Sequence, residues 1–520
     1  MDIRRVEHQS IPLTRTPAPR DVKKDSPEIK DRVDLQESSK PQGQSIRIDI
    51  LHMNDVHGQV TPLIQGAGDQ QKEVGGLAGA KTVIEAQRQE NPGGTLTLNA
   101  GDIAEGTMEA YLTKGKIVTS AMGEIGFDAV TLGNHDFAWG RDNLDEMIKD
   151  ARAPFIAANV RNVSDGSLMK GLKPYIMRDL KGVKVAVIGL ETPETGFRVD
   201  RKLTRGLQFD EGARTVSRYL PEVREKGADL VVVLSHLGFE QDRELARQVE
   251  GIDIIVGGHS HTELEEGHRE GDTVIVQAGS QGRFVGKLSV EVNPENKKII
   301  STVASLLPVE KGIVEPDPGV MKILQPYMEE VERIGSRLVG HAREDLPHSH
   351  KEPAKLNQIY ADAVRNAVPE ADFALTSSRK LRGNLKKGDV TFKDIYSVVP
   401  FADEKVVVIK ARGETLKNEM ELRVKEGGRG LQIGSGLSYE YDTTLPDMNR
   451  ITKIQLHDGS SLDPQREYVV AIDESTITKP HFEGVEVLKT VGGCQDIMVD
   501  YFQNNGPWQN DPDQRVIKRP

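Results

Sequence analysis

The chain has 520 residues and a mass of 57.3 kDa, which at roughly 100–200 residues per domain points to two or three domains and excludes a single small module. Hydrophobic residues at 37% together with 50 glycines fit a globular protein and exclude wholesale disorder or a collagen-like chain. With 68 Lys and Arg against 80 Asp and Glu, the formal charge of −12 supplies no cationic field for a polyanion, so neither nucleic acid nor an anionic membrane is expected as a partner.

Residues 1–46 carry charges of both signs, several prolines and no aromatic side chain, a composition that builds no core and reads as a disordered tail. The segment has no apolar run of the kind a secretory signal needs, and nothing later approaches a membrane span, so the expected compartment is cytoplasmic. From residue 47 apolar runs alternate with segments of helical period. Strands are expected at 48–53, 95–99, 129–132, 155–158, 183–190, 230–235, 252–256 and 274–277, and helices at 77–89, 107–123, 143–151, 211–226 and 243–249. Strands as uniformly apolar as 185–190 and 231–234 suit sheets covered by helices, so an α/β layered domain is expected over 47–308. Pro308, Pro316 and Pro318 then punctuate a connector at 309–338, with a helical stretch interrupted at Pro326. A separate α+β domain is expected over 339–520, with a helix at 354–368 and strands at 405–410, 437–441, 451–456 and 468–472.

A single cysteine, Cys494, excludes an intrachain disulfide and a multi-cysteine zinc site, so any metal chemistry must run on His, Asp and Asn. Those residues stand where the strands of the first half end. Asp55 and His57 follow the first strand, Gly101-Asp102 the second and Gly133-Asn134-His135-Asp136 the third. His236 follows 230–235, and Gly257-Gly258-His259-Ser260-His261 follows 252–256. Ligands bind at the carboxyl ends of strands in open α/β sheets. One such residue is explained as a turn or cap, but five consecutive strand ends are not. The chemistry that needs them is a pair of divalent metals sharing one carboxylate, for which Asp102 is the natural bridge. Neighbouring glycines let the backbone turn sharply enough to gather short side chains.

In order and spacing these five blocks resemble the signature of the calcineurin-like metallophosphoesterases, and in particular the 5′-nucleotidase branch. The resemblance implies a sandwich of two sheets flanked by helices. It implies Asp55, His57, Asp102 and His261 around one metal and Asp102, Asn134, His236 and His259 around the other, the ions being Mn, Zn, Fe or Co. His135 would contact the substrate phosphate and assist the leaving group. The implied reaction is attack of a metal-held hydroxide on the phosphorus of a small-molecule phosphate ester, most naturally a nucleotide.

The second half is similar to the substrate-recognising domain of 5′-nucleotidases in Gly388-Asp389-Val390-Thr391, Val399-Pro400-Phe401, Gly434-Ser435-Gly436-Leu437 and Tyr439-Glu440-Tyr441-Asp442. By that likeness Phe401 would stack on a base and Arg382 would grip an oxyanion, with Ser377 and Arg379 in the same ligand loop. Ser377-Ser378-Arg379-Lys380-Leu381-Arg382 stands in place of a glycine-rich family loop, and Asp473-Glu474 in place of a second aromatic. In the catalytic block Ala138 occupies the position of a carboxylate that orients the histidine. A slower enzyme is therefore expected, unless another acid such as Asp142 takes over. Two alternatives stay open: a weakened binding protein retaining structural metals, and a sulfur-ester hydrolase.

Overall fold

Alternate residues of the first strand serve two different cores: Ile48 and Ile50 face one apolar cluster, Leu51 and Met53 another. The same division recurs at 230–235, where Leu230, Val232 and Leu234 join Ile48 and Ile50, while Val231 and Val233 pack away from them. Side chains alternate across a strand, so two sheets share the first core and each has a further layer behind it. This computed structural model describes residues 45–66, 71–199, 201–400, 404–428, 430–506 and 515–519.

In chain order the strands of the two large sheets of the first half are β1 (Ile46–Met53), β2 (Thr95–Asn99), β3 (Ala129–Val130), β4 (Tyr175–Leu180), β5 (Val183–Leu190), β6 (Leu230–Ser235), β7 (Ile254–Val256), β8 (His268–Glu270), β9 (Thr273–Val276), β10 (Phe284–Val292) and β11 (Ile299–Pro308). One sheet has the order β11-β10-β1-β2-β3 and the other β8-β9-β7-β6-β5-β4. Strands β1, β2 and β3 run parallel, as do β5, β6, β7 and β9; antiparallel strands close both edges of the second sheet and one edge of the first, whose other edge is the parallel β3. Helices Leu77–Glu90, Lys116–Ile125 and Gly140–Asp150 bury their apolar faces behind the first sheet. Gly212–Glu225 and Phe239–Gln248 do so behind the second. The expected two-sheet α/β sandwich is therefore present.

Three expected elements differ. The run 155–158 makes only single bridges, Val130 to Phe155 and Ile156 to Lys173; it is buried for packing, and an apolar run does not by itself distinguish that from a ladder. The expected helix at 107–123 is split into Met108–Leu112 and Lys116–Ile125, because Lys114 and Gly115 both adopt left-handed backbone, with φ of 47° and 78°. Pro326 does not interrupt its helix, which runs from Pro318 to Gly335. That helix is capped by the Asp317 carboxylate, which accepts from Val320 N at 2.9 Å.

The second half is built on a five-stranded sheet of β12 (Phe373–Ser377), β13 (Lys405–Arg412), β14 (Gln432–Ser435), β15 (Glu467–Asp473) and β16 (Glu486–Gly493), in the order β14-β12-β15-β13-β16. Val406 and Val408 face one core, Val407 and Ile409 the other. The helix Pro318–Gly335 joins the halves by sharing its buried residues between them. Val320 and Leu324 enter a core of the first half, and Val331 enters a core of the second together with Met108. Among the described residues no helix is long and apolar enough to cross a membrane.

Candidate metal centre

The loops leaving β1, β2, β3, β6 and β7 meet at one end of the sandwich, and their backbone is strained there. Asp55, His57, Asp102, His259 and His261 have φ of 50°, 49°, 50°, 72° and 54°, a region that residues other than glycine seldom occupy and that clusters at functional sites. Five of the seven ligand residues expected from sequence are thus held left-handed. Two glycines leave the space they need. A Cβ on Gly133 would lie 2.2 Å from Asp102 Oδ1, and one on Gly258 would lie 2.5 Å from Ala100 O and 2.9 Å from His236 Nδ1.

Candidate donor atoms gather in three groups, Asp55-His57-His261, His57-Asp102-His135 and Asp102-His236-His259, with the atoms of each group within 4.8 Å of one another. Asp102 belongs to two of them. Backbone carbonyls, which only accept, fix two tautomers: His57 Nδ1 donates to Glu105 O at 2.9 Å and His236 Nδ1 to Ala100 O at 2.6 Å. In the neutral ring each Nε2 then carries a lone pair. His57 Nε2 lies 3.0 Å from His261 Nε2, and His236 Nε2 lies 3.1 Å from Asp102 Oδ2 without the alignment of a hydrogen bond. Asn134 Oδ1 is likewise buried and has no hydrogen-bond partner among the described residues. Nε2 and carboxylate oxygens this close need a positive charge among them, a proton or a metal ion. The donor set therefore fits divalent metals, and the sandwich brings Asp55, His57, Asp102, His236, His259 and His261 to one place, with Asn134 next to His135 on the loop after β3.

Electrostatics at the cluster follows from burial and the two carboxylates. Burial alone would raise Asp102, but the imidazoles of His236, His135 and His57 outweigh it and hold the carboxyl well below the usual range. Burial disfavours charge on His236, yet Asp102, Asp55 and Glu191 drive its pKa up. His57 is pushed down, first by burial and then by its histidine neighbours. Burial and the nearby Asp102 push Asp136 up to about 7.

His135 is not left without a carboxylate. Its Nδ1 lies 2.7 Å from Glu105 Oε2, and its backbone N–H donates to Asp102 Oδ1 at 2.8 Å. Burial opposes its charge, but Asp102 and Glu105 raise it to about 9. The carboxylate beside His135 is thus that of Glu105, from the loop after β2. The sequence-based candidate Asp142 lies exposed in the first turn of the helix Gly140–Asp150.

Several buried residues that sequence reasoning passed over hold these loops. Asp136 accepts from Gly133 N and Asp102 N through Oδ2 and from Ile103 N through Oδ1, at 2.8, 3.1 and 2.9 Å. Asn54 donates to Asp55 Oδ2 and Gly279 O and accepts from Ala278 N. Gln277 accepts from Thr262 N and Ser260 Oγ and donates to Gly258 O. Asn54 and Gln277 show in the sequence only as a polar residue at the end of an apolar strand, and Asp136 only as the last member of the block 133–136.

The expected substrate residues of the second half form a separate cluster. Ser377 is buried at the end of β12, where its hydroxyl accepts from Arg379 N and its own N–H donates to Asp473 Oδ2 at 2.7 Å. Arg382 is exposed, and its guanidinium folds back onto the carbonyls of Arg379 and Leu381. Lys380 pairs with Glu404 at 2.5 Å. Asp473 also accepts from the Tyr360 hydroxyl at 2.6 Å, and burial raises it to about 6. Phe401 lies outside the described residues.

The calcineurin-like phosphoesterase family matches residues 48–263, and the C-terminal domain of 5′-nucleotidases matches residues 336–484. Endonuclease YhcR of Bacillus subtilis (strain 168) is 27% identical over 496 residues, which is 89% of this chain and 40% of that protein. The chain thus spans less than half the length of that relative. The 5′-nucleotidase of Vibrio cholerae is 27% identical over 422 residues, 69% of this chain and 72% of its own. In fold, the 5′-nucleotidase precursor from Thermus thermophilus superposes with a TM-score of 0.72 at 23% identity, covering 91% of this chain and 99% of the other. The two family matches span more than two thirds of the sequence between them, and the chain belongs to the calcineurin-like phosphoesterases that carry a 5′-nucleotidase C-terminal domain.

Proposed function

We propose that this protein hydrolyses a phosphate ester of a nucleotide, with two divalent cations held at the strand-end cluster. Asp55, His57, Asp102 and His261 would hold one, and Asp102, Asn134, His236 and His259 the other. The observation that carries the reading is the convergence of donor atoms on Asp102: backbone carbonyls hold the Nδ1 atoms of His57 and His236, which turns both Nε2 atoms inward. Cations bound at such a site acidify water and neutralise charge on a phosphoryl oxygen. His135, set beside Asp102 by its backbone N–H, meets the phosphoryl group and returns a proton to the leaving oxygen. Asp136 keeps the Asp102 and Gly133 loops in register during this.

In the domain organisation that goes with this reading, residues 47–308 carry the metals, 309–338 connect, and 339–520 recognise the substrate. Arg379 and Arg382 supply positive charge for an oxyanion, Ser377 braces their loop, and Phe401 stacks on the base. The name borne by the relative from Vibrio cholerae supports a nucleotide over other phosphate esters.

The test is metal analysis of the purified chain together with phosphate release from AMP, p-nitrophenyl phosphate and bis-p-nitrophenyl phosphate in Mn²⁺, Zn²⁺ and Co²⁺. Metal-dependent release with AMP preferred supports the reading. A chain that binds none of these ions and hydrolyses none of these esters removes it. Tight AMP binding without turnover in excess metal would replace it with a binding function.

A further inference from the structure

We infer that Glu105 is the positioning carboxylate of His135, recruited from the loop after β2 to do what Ala138 has no carboxyl group to do. The inference rests on the phosphohydrolase reading above and adds a residue to it.

Three observations carry it. The Nδ1 to Oε2 distance of 2.7 Å is that of a charge-assisted hydrogen bond. Glu105 is itself fixed, because its carbonyl accepts from His57 Nδ1 at 2.9 Å. The following Gly106 adopts φ of 146°, and a Cβ there would lie 2.6 Å from His57 O, so the chain leaves Glu105 in one direction only. One residue thus orients two imidazoles: its backbone sets a candidate metal ligand and its carboxylate sets the histidine that meets substrate. With Nδ1–H held by Glu105, the tautomer and ring plane of His135 are defined, and Nε2 is the nitrogen presented to the phosphate. The His57 and His135 rings pack edge to face at 4.9 Å between centroids, which limits the alternative ring orientations.

A residue that acts only through His135 must lose its effect when His135 is absent. The experiment therefore measures kcat, KM and metal content for wild type, Glu105→Gln, His135→Ala, the double variant Glu105→Gln/His135→Ala, and Glu105→Gln/Ala138→Asp. Glu105→Gln is expected to lower kcat by about 10- to 100-fold, the range for loss of such a partner, with KM and metal content little changed. Adding it to His135→Ala should slow the enzyme no further. Ala138→Asp should restore much of the loss, since it returns a carboxylate to the helical turn that carries His135.

Three results would overturn the inference: an unchanged kcat in Glu105→Gln, effects of Glu105→Gln and His135→Ala that multiply, or metal content that falls in step with kcat. A second readout does not depend on turnover. In protein labelled with ¹⁵N-histidine, the Nδ1 proton of His135, assigned by its loss in His135→Ala, should be observed in wild type and vanish in Glu105→Ala, which leaves no acceptor at that position; its persistence there would overturn the contact. A wild type that hydrolyses nothing removes the reaction reading instead, and the resonance still decides for or against the contact.

Discussion

The Tyr396 hydroxyl donates to the Thr107 carbonyl at 3.1 Å, across 289 residues of sequence. Thr107 in turn donates through Oγ1 to Gly58 O at 2.9 Å and caps the helix Met108–Leu112, so the second half of the chain leans on the loop bearing Asp102 and Glu105. The Thr107 carbonyl also accepts from Tyr111 N, so Tyr396→Phe removes one bond without orphaning an acceptor. We expect a loss of about 0.5–1.5 kcal/mol in urea denaturation with metal content unchanged. No loss would mean that this hydrogen bond adds nothing to the hold between the halves.

Chelation should expose the mutual repulsion of the buried acceptors. Protein stripped with EDTA is expected to melt at a lower temperature than the same protein reloaded with Mn²⁺ or Zn²⁺. Cation at roughly 100 times its dissociation constant adds about 2.7 kcal/mol. Identical melting curves would contradict the assignment of these side chains as ligands.

Gly133→Ala places a methyl group 2.2 Å from Asp102 Oδ1. The carboxylate or the loop must move, at a cost of about 1–3 kcal/mol by analogy with overpacking, and metal retention should fall with it. Gly492→Ala is the comparison, because a Cβ there meets nothing within 4 Å and should leave both quantities near wild type. Differential scanning calorimetry and metal analysis of the two variants check this.

His52 is buried, its Nδ1 has no partner, and burial lowers its pKa to about 3. The unfolded chain protonates this residue near pH 6.5 whereas the folded chain does so only near 3. The unfolded state therefore takes up the extra proton within that window, and stability that is complete above about pH 6.5 declines as the pH drops. His52→Phe removes this contribution. Between about pH 7.5 and 5.5 wild type should lose about 1 kcal/mol more than the variant, read from denaturant midpoints; parallel losses would show that His52 does not titrate as its burial dictates.

The candidate donors were legible in the sequence because they follow apolar parallel strands, whose carboxyl ends are recognisable without knowing the pairing. What holds the donors was not. Asn54 is fixed by Ala278 and Gly279, and Glu105 meets His135 from another loop, contacts that chain folding creates between segments with no sequence relation. The same limit made Ala138 look like a loss. The hairpin of β10 and β11 was passed over for a different reason: in β10 burial alternates along Phe284–Val292, so its apolar residues never form a run. Conversely, the turn at Lys114 and Gly115 left little trace beyond one glycine inside a stretch of good helix formers.

The left-handed backbone at Asp55 and Asp102 also dictates how these positions should be interrogated. Asparagine tolerates that conformation far better than alanine or a β-branched residue, and it keeps the volume of the side chain. Amide variants will thus silence the carboxylates while sparing the loops, whereas truncations confound a missing charge with a relaxed main chain.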